Sequence, residues 1–388
     1  MPAFFQRLST LNLPSPQTIL LVSLGLLLSL SLLMIASASI PFALAKDLSP
    51  MRFFWSQLSY IAIGVVAAWA VYKVLPLKTY CNLSFLTLAW VGVMILLVLT
   101  AAFAVPINGS KRWLSIAGFN LQTAELAKMV LVMIAAEYVV RRSAEFRSSI
   151  LGGAKLLAWY IPVVIFLLVQ PDYGSTAVIV ATLLVMAWIS GAPKVQYLMI
   201  GAFVVAVGVA GIFLADYRRE RMMSFWDPFD DIQDSDFQLS RSLIAFGRGQ
   251  LSGVGYGDSV QKLSHLPEAH TDFILAITGE ELGLLGVAFV LLLEAMIVIA
   301  IMMVSYMTLK RRQLRLSYIV FGFAVVIFGQ VFINAGMNMG MLPTKGLTLP
   351  FYSFGGSALV VNMMMIGFIL KVAKESAEID YQGNSRNY

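Results

Sequence analysis

The segment Leu266-Pro267-Glu268-Ala269-His270-Thr271-Asp272-Phe273 brings two carboxylates and an imidazole to the start of a long apolar run. Ionisable groups gathered at such a boundary can move protons or hold charged headgroups, because low-dielectric surroundings shift their pKa values and strengthen their pairing. Basic residues expected on the same side are numerous: Lys111, Arg112, Arg218, Arg219, Arg221, Lys262 and Lys345. A carboxylate beside such a cluster suits an anionic lipid substrate, whereas each cation taken singly reads as a snorkelling headgroup anchor. For Asp272 the alternatives are a site role and a plain helix cap, since an Asp in the cap or first turn satisfies free amides and is favoured by the helix dipole.

Other ionisable residues fall inside apolar runs. Glu280 and Glu281 lie about 12 Å deeper than Asp272 by helical rise, where a carboxylate faces a polar cavity or pairs with a cation. Glu125 and Lys128 share a helix face at i and i+3 and read as a buried pair. Asp172, between Pro171 and Gly174, reads as a cap or as a site residue. The stretch from Leu342 to Val360 combines Lys345 with Gly355, Gly356 and Ser357. Its irregular backbone is tolerated at membrane depth where it lines a wet cavity, and its amides can face an anion.

Several chemistries are excluded. The run from Gly247 to Gly257 has neither Walker nor GxGxxG spacing. Asp234-Ser235-Asp236 has a DxD form but reads as a solvated turn, and Asp231, Asp234 and Asp236 lack the Gly and final Glu of a calcium loop. His265 and His270 are too few for a zinc site. With Cys81 as the single cysteine, neither a disulfide nor a Cys cluster can form. Nothing points to nucleic acid.

The elements that must position these residues are membrane helices. The chain is 59% hydrophobic and 12% charged over 388 residues, so the bilayer is its solvent. Runs of about 20 apolar residues fall near 17–43, 53–75, 82–103, 122–140, 154–170, 174–192, 195–215, 272–306, 317–340 and 356–375. The expectation is one all-α membrane domain over 1–388 with ten transmembrane helices. Cations crowd alternate connections, including Lys73, Lys78, Arg141, Arg142, Arg147 and Lys310 to Arg315, while the opposite short loops hold Lys46, Arg52, Lys111, Arg112 and Lys345. That bias puts both termini in the cytoplasm and the long 216–271 loop, between helices seven and eight, outside. Within it, Phe237 to Arg248 reads as an interfacial amphipathic helix with Arg241 and Arg248 available for lipid phosphates, followed by glycines that supply turns.

Seven segments in order resemble the SEDS family of bacterial membrane proteins across essentially the whole membrane region: "MIASAS", "NGSKRWLSIAGFNLQTAELAKM", "QPDYGST", "RMMSFWDPF", "LIAFGRGQLSGVGYGDSVQKLSHLPEAHTDFI", "GEELG" and "LPTKGLTLPFYSFGG". The long fifth segment and "KGLTLP" are more similar to the family's cell-division branch than to its elongation branch. Phe354 and Ala358 depart from the family's Tyr and Ser, which leaves a hydroxyl role at those two places unsupported.

The resemblance implies a peptidoglycan glycosyltransferase that polymerises lipid II on the outer face of the bacterial inner membrane, at the division septum. It implies a class B penicillin-binding protein as transpeptidase partner, alongside other division-complex proteins. The family's catalytic aspartate falls on Asp272, as general base. The expected substrate contacts are Arg112, Glu125, Lys128, Asp172, Arg221, Lys262, Glu268, His270, Glu280, Lys345 and Ser357. A divalent cation, Mg2+ or Mn2+, bridging the leaving pyrophosphate is compatible with this scheme, though no dedicated ligand set is visible. A free Asp titrates near about 3.9, so an efficient base requires a pKa raised by the membrane boundary, by Glu268 or by the deeper glutamates. The competing reading is a lipid II flippase that uses Glu125, Lys128, Glu280 and Glu281 as a polar path.

Overall fold

A bilayer offers no partner for backbone N–H and C=O groups, so each apolar run satisfies its own as a helix. The computed structural model describes residues 14–105, 110–116, 119–213, 229, 237–263, 266–343 and 346–385. In chain order its helices are α1 (Pro16–Ala45), α2 (Arg52–Lys73), α3 (Leu77–Tyr80), α4 (Leu83–Phe103), α5 (Thr123–Arg141), α6 (Ser143–Ser148), α7 (Ile150–Val169), α8 (Tyr173–Ile189), α9 (Lys194–Phe213), α10 (Phe237–Gly249), α11 (Ile274–Lys310), α12 (Leu314–Asn338) and α13 (Gly356–Ser385). All ten expected runs are helical. Among the described residues, seven helices are long and apolar enough to cross a membrane: α1, α2, α4, α7, α11, α12 and α13. Helix α8 is apolar but shorter. Helix α5 carries Glu125, Lys128, Glu137 and Arg141, which dilutes its hydropathy, yet it is buried along almost its whole length between α4, α8, α12 and α13.

One departure from an all-helical reading is a two-stranded antiparallel hairpin, β1 (Trp113–Ile116) and β2 (Phe119–Gln122), with Trp113 opposite Gln122 and Leu114 opposite Leu121. Strands of four residues give too short an alternation to stand out in the sequence. The hairpin leads directly into α5 and carries Arg112 at its base.

Helix α10 forms where the amphipathic pattern puts it and packs on α11 and α12, burying Leu239 and Ala245. Its arginines have partners within the protein. Arg248 pairs with Glu280 at 3.4 Å, and Arg241 lies over the Phe237 ring at 5.3 Å.

The glycine-rich run after α10 does more than turn. Helix α11 is broken at Gly283, whose φ of 67° and ψ of −167° belong to a region open to glycine alone. The N–H groups freed at the break are taken by the loop: Leu284 N donates to Gln250 O at 2.9 Å and Leu285 N to Leu251 O at 3.2 Å. The loop returns the favour, Val254 N to Glu280 O at 2.9 Å and Gly255 N to Glu281 O at 3.1 Å. Only glycine lets the two backbones approach so closely, since a Cβ on Gly253 would sit 2.1 Å from Glu281 O.

Candidate active site

Asp272 stands just before α11, whose N-cap is Phe273 with no side-chain cap bond. Its carboxyl therefore does not serve as the cap that the simplest sequence reading offers. The cap comes from another helix. Asn338 of α12 accepts from Ala276 N at 3.2 Å through Oδ1 and donates through Nδ2 to the Asp272 carbonyl at 2.9 Å. Asn334, one turn earlier, donates to the same carbonyl at 3.0 Å and to Leu347 O at 2.6 Å. With its backbone fixed from α12, the Asp272 side chain is left for chemistry.

That side chain is partly buried, and its pKa is pushed up to about 7, first by burial, then by Glu268 and Asp172, against an opposing pull from Arg112. The rise that a base requires is thus present. Its causes are the boundary and Glu268, as expected, but with Asp172 in place of the deeper glutamates. A Cβ on Gly346 would lie 2.7 Å from Arg112 Nη1 and 3.3 Å from Asp272 Oδ2, which puts cation and carboxylate no more than about 6 Å apart across a glycine. Arg112 is held there by Pro171 O at 2.5 Å and Gly346 O at 3.4 Å. Asp172 caps α8 through Ser175 N at 3.2 Å, as one of its two readings has it, and accepts from Gln122 Nε2 at 3.4 Å. Ser357, at the start of α13, accepts from Gln122 N at 2.9 Å. Hairpin, α8, α11, α12 and α13 thus converge on one spot.

Glu268 has a left-handed backbone, φ 57°, stabilised by Thr271 Oγ1 donating to Oε2 at 2.7 Å and by Phe273 N donating to its carbonyl at 3.2 Å. His270 is buried among Phe42, Phe53 and Phe354, with ring centroids 4.9, 4.7 and 5.7 Å away. Burial lowers its pKa to about 4, Glu268 opposing, so it is neutral at physiological pH. The hydroxyl missing at Phe354 is not needed in this apolar stack.

Four other sequence candidates sit in separate networks. Glu125 is paired with Lys128 at 2.7 Å and accepts from Gln330 Nε2 at 3.2 Å, fully enclosed. Glu280 accepts from Ser259 Oγ and from Gln261 N at 3.1 Å. Lys262 Nζ reaches Glu281 at 2.7 Å and Ser37 Oγ at 2.8 Å. The last two fasten the loop to α11 and α1. Arg221, Lys345, His265 and the Asp231 to Asp236 stretch lie outside the described residues.

Asn334 and Asn338 escaped the sequence reading. The signal was present, two amides at i and i+4 in an otherwise apolar spanning helix. Among the described residues no three His, Cys, Asp or Glu side chains come together to hold a metal ion. A cavity of about 310 Å³ between α11 and α12 is lined by apolar groups and by Glu294, and includes none of the cluster residues.

The family model FTSW_RODA_SPOVE, described as "Cell cycle protein", matches residues 17–378. A protein of Acinetobacter baylyi named "Probable peptidoglycan glycosyltransferase FtsW" is 38% identical, covering 97% of this chain and 94% of its own. One of the same name from Marinomonas mediterranea is 37% identical, covering 98% and 94%. Among solved structures, the rod shape determining protein RodA of Thermus thermophilus is 22% identical with a TM-score of 0.66, over 92% of this chain and 96% of that one. A chain from a structure described as "Structural coordination of polymerization and crosslinking by a peptidoglycan synthase complex" is 24% identical with a TM-score of 0.67, over 90% and 97%.

Proposed function

The chain belongs to the FTSW_RODA_SPOVE family of cell cycle proteins, and from that premise we propose a peptidoglycan glycosyltransferase with Asp272 as its general base. The acceptor sugar's 4-hydroxyl gives its proton to Asp272 as its oxygen attacks the anomeric carbon of a second lipid-linked disaccharide. The C1–O bond to undecaprenyl pyrophosphate breaks with inversion, and the pyrophosphate carries away the electron pair. The observation that carries this reading is the Asp272 carboxyl standing outside the cap of α11 and across Gly346 from Arg112, where burial pushes its pKa up. A base whose pKa lies near the working pH combines an available ionised form with useful proton affinity. Arg112, held by two backbone carbonyls, is placed to favour the ionised carboxylate and to meet phosphate charge.

The finer arrangement follows from the same reading: ten spans, both termini cytoplasmic, and the 216–271 loop outside beside a class B penicillin-binding protein at the septum. Relatives named "Probable peptidoglycan glycosyltransferase FtsW" and the distribution of cations along the sequence support it. The flippase alternative is disfavoured because the charges it would use are already spent, Glu125 on Lys128 and Gln330 and Glu281 on Lys262 and Ser37. The test incubates the purified protein and its penicillin-binding partner with lipid II and compares wild type with Asp272→Ala. Glycan chains from wild type alone support the reading. Equal polymer from both removes Asp272 as base, and labelled lipid II crossing liposomes without polymer favours transport.

A further inference from the structure

Within a regular α-helix the carbonyl of residue 272 would accept from the N–H of residue 276. Here the side-chain amide of Asn338 stands between those two groups, donating to Asp272 O at 2.9 Å and accepting from Ala276 N at 3.2 Å. One amide thus replaces one helical hydrogen bond at both of its ends. Ala276 N turns to Phe273 O at 3.0 Å for its remaining partner, so the first turn of α11 closes one residue later than it otherwise would. Asn334 supplies a second donor to the same carbonyl and ties it to Leu347, beside Gly346 and Arg112. Both asparagines are fully buried. The Asn338 carbonyl in turn accepts from Ser242 Oγ of α10 at 2.7 Å, which braces the wedge from the loop side.

Resting on the glycosyltransferase reading, we infer that Asn338 is the positioning residue for Asp272: its amide wedges the first turn of α11 open and keeps the catalytic carboxyl out of the helix, facing Arg112. Without the wedge the helix propagates by one hydrogen bond. Helical winding of about 100° per residue then turns the carboxyl away from its neighbours. Two substitutions separate positioning from mere packing. Asn338→Leu has nearly the same volume and no amide. Asn338→Asp keeps the shape, and its neutral carboxyl can still donate to the Asp272 carbonyl and accept from Ala276 N, whereas its ionised form can only accept.

The measurement is steady-state polymerisation of lipid II by each purified variant with its partner, across pH 5 to 10, with Asp272→Ala in parallel. Asn338→Leu is expected to lose on the order of 10- to 100-fold in turnover, with the KM for lipid II within about twofold and the acid limb displaced from its wild-type position. Asn338→Asp is expected to add a descending limb at the pH where the new carboxyl ionises. If Asn338→Leu does not fold, Asn338→Asp decides alone. Wild-type turnover, a loss carried by KM, or an Asn338→Asp profile superimposable on wild type overturns the inference. Because Asp272→Ala is measured alongside, the two ideas fail separately: an active Asp272→Ala sinks the general base, and an inactive one beside wild-type-like Asn338 variants sinks the wedge.

Discussion

Replacing Arg112 by Gln should move the acid limb of the pH–rate profile upward. A base acts in its ionised form, so with Asp272 as the proposed base turnover rises with pH through its pKa, pushed up to about 7 by burial and Glu268. Arg112 is the group that opposes the rise. Two unit charges about 6 Å apart at an effective dielectric of about 20 interact by about 2.8 kcal/mol, equivalent to about 2 pKa units. Because Asp272 is only partly buried, water takes some of this, and a shift of about 1 to 2 units is expected. At pH 7 the ionised fraction then falls from about half to between about 1% and 10%, a loss of roughly 5- to 50-fold that recovers above pH 9. Glu268→Gln should act with the opposite sign, since Glu268 raises the pKa, and its limb should move down. The assay is initial polymerisation rate at saturating lipid II from pH 5 to 10. If Arg112→Gln lowers the plateau while leaving the limb near 7, Arg112 serves the substrate alone and the electrostatic argument is wrong. A downward limb would refute it outright.

His270→Phe is expected to leave turnover within about twofold, since the ring sits in an aromatic box and is neutral above about pH 5; a lost acid limb would show that the imidazole itself titrates in catalysis. Glu294 is fully buried, with neither carboxyl oxygen hydrogen-bonded among the described residues, and an unsatisfied buried polar group costs about 1–3 kcal/mol. Glu294→Leu should therefore raise the thermal midpoint in detergent, and a lower midpoint would mean the carboxyl is stabilised in the native membrane helix.

Helix existence was legible because long apolar runs leave the backbone no alternative in a bilayer. The candidate cluster was partly legible for a different reason. Asp272, Glu268, Arg112 and Asp172 are charged residues at the edges of such runs, and composition alone makes them conspicuous. What escaped was whatever depends on two elements meeting. Lys262 and Glu280 look like substrate ligands in a linear reading, yet pairing across the loop turns them into fasteners. Asn338 stands out as an amide in an apolar run, yet its task shows only once α12 lies against the start of α11. The β1–β2 hairpin failed for want of length, and Gly249 to Gly255 because their requirement for close approach arises only when α10 lies on α11.

The exchange of main-chain bonds between residues 250–255 and the break in α11 has an evolutionary consequence. Main-chain bonds do not depend on side-chain identity, so exposed Leu251, Val254 and Tyr256 can change to suit a different surface while the glycines keep the loop in place. Length is another matter. One residue inserted between Gly249 and Gly255 would shift the loop groups out of step with their partners on α11. This stretch is therefore free to drift in character and bound in spacing, and surface variation can accumulate along α11 without displacing the helix.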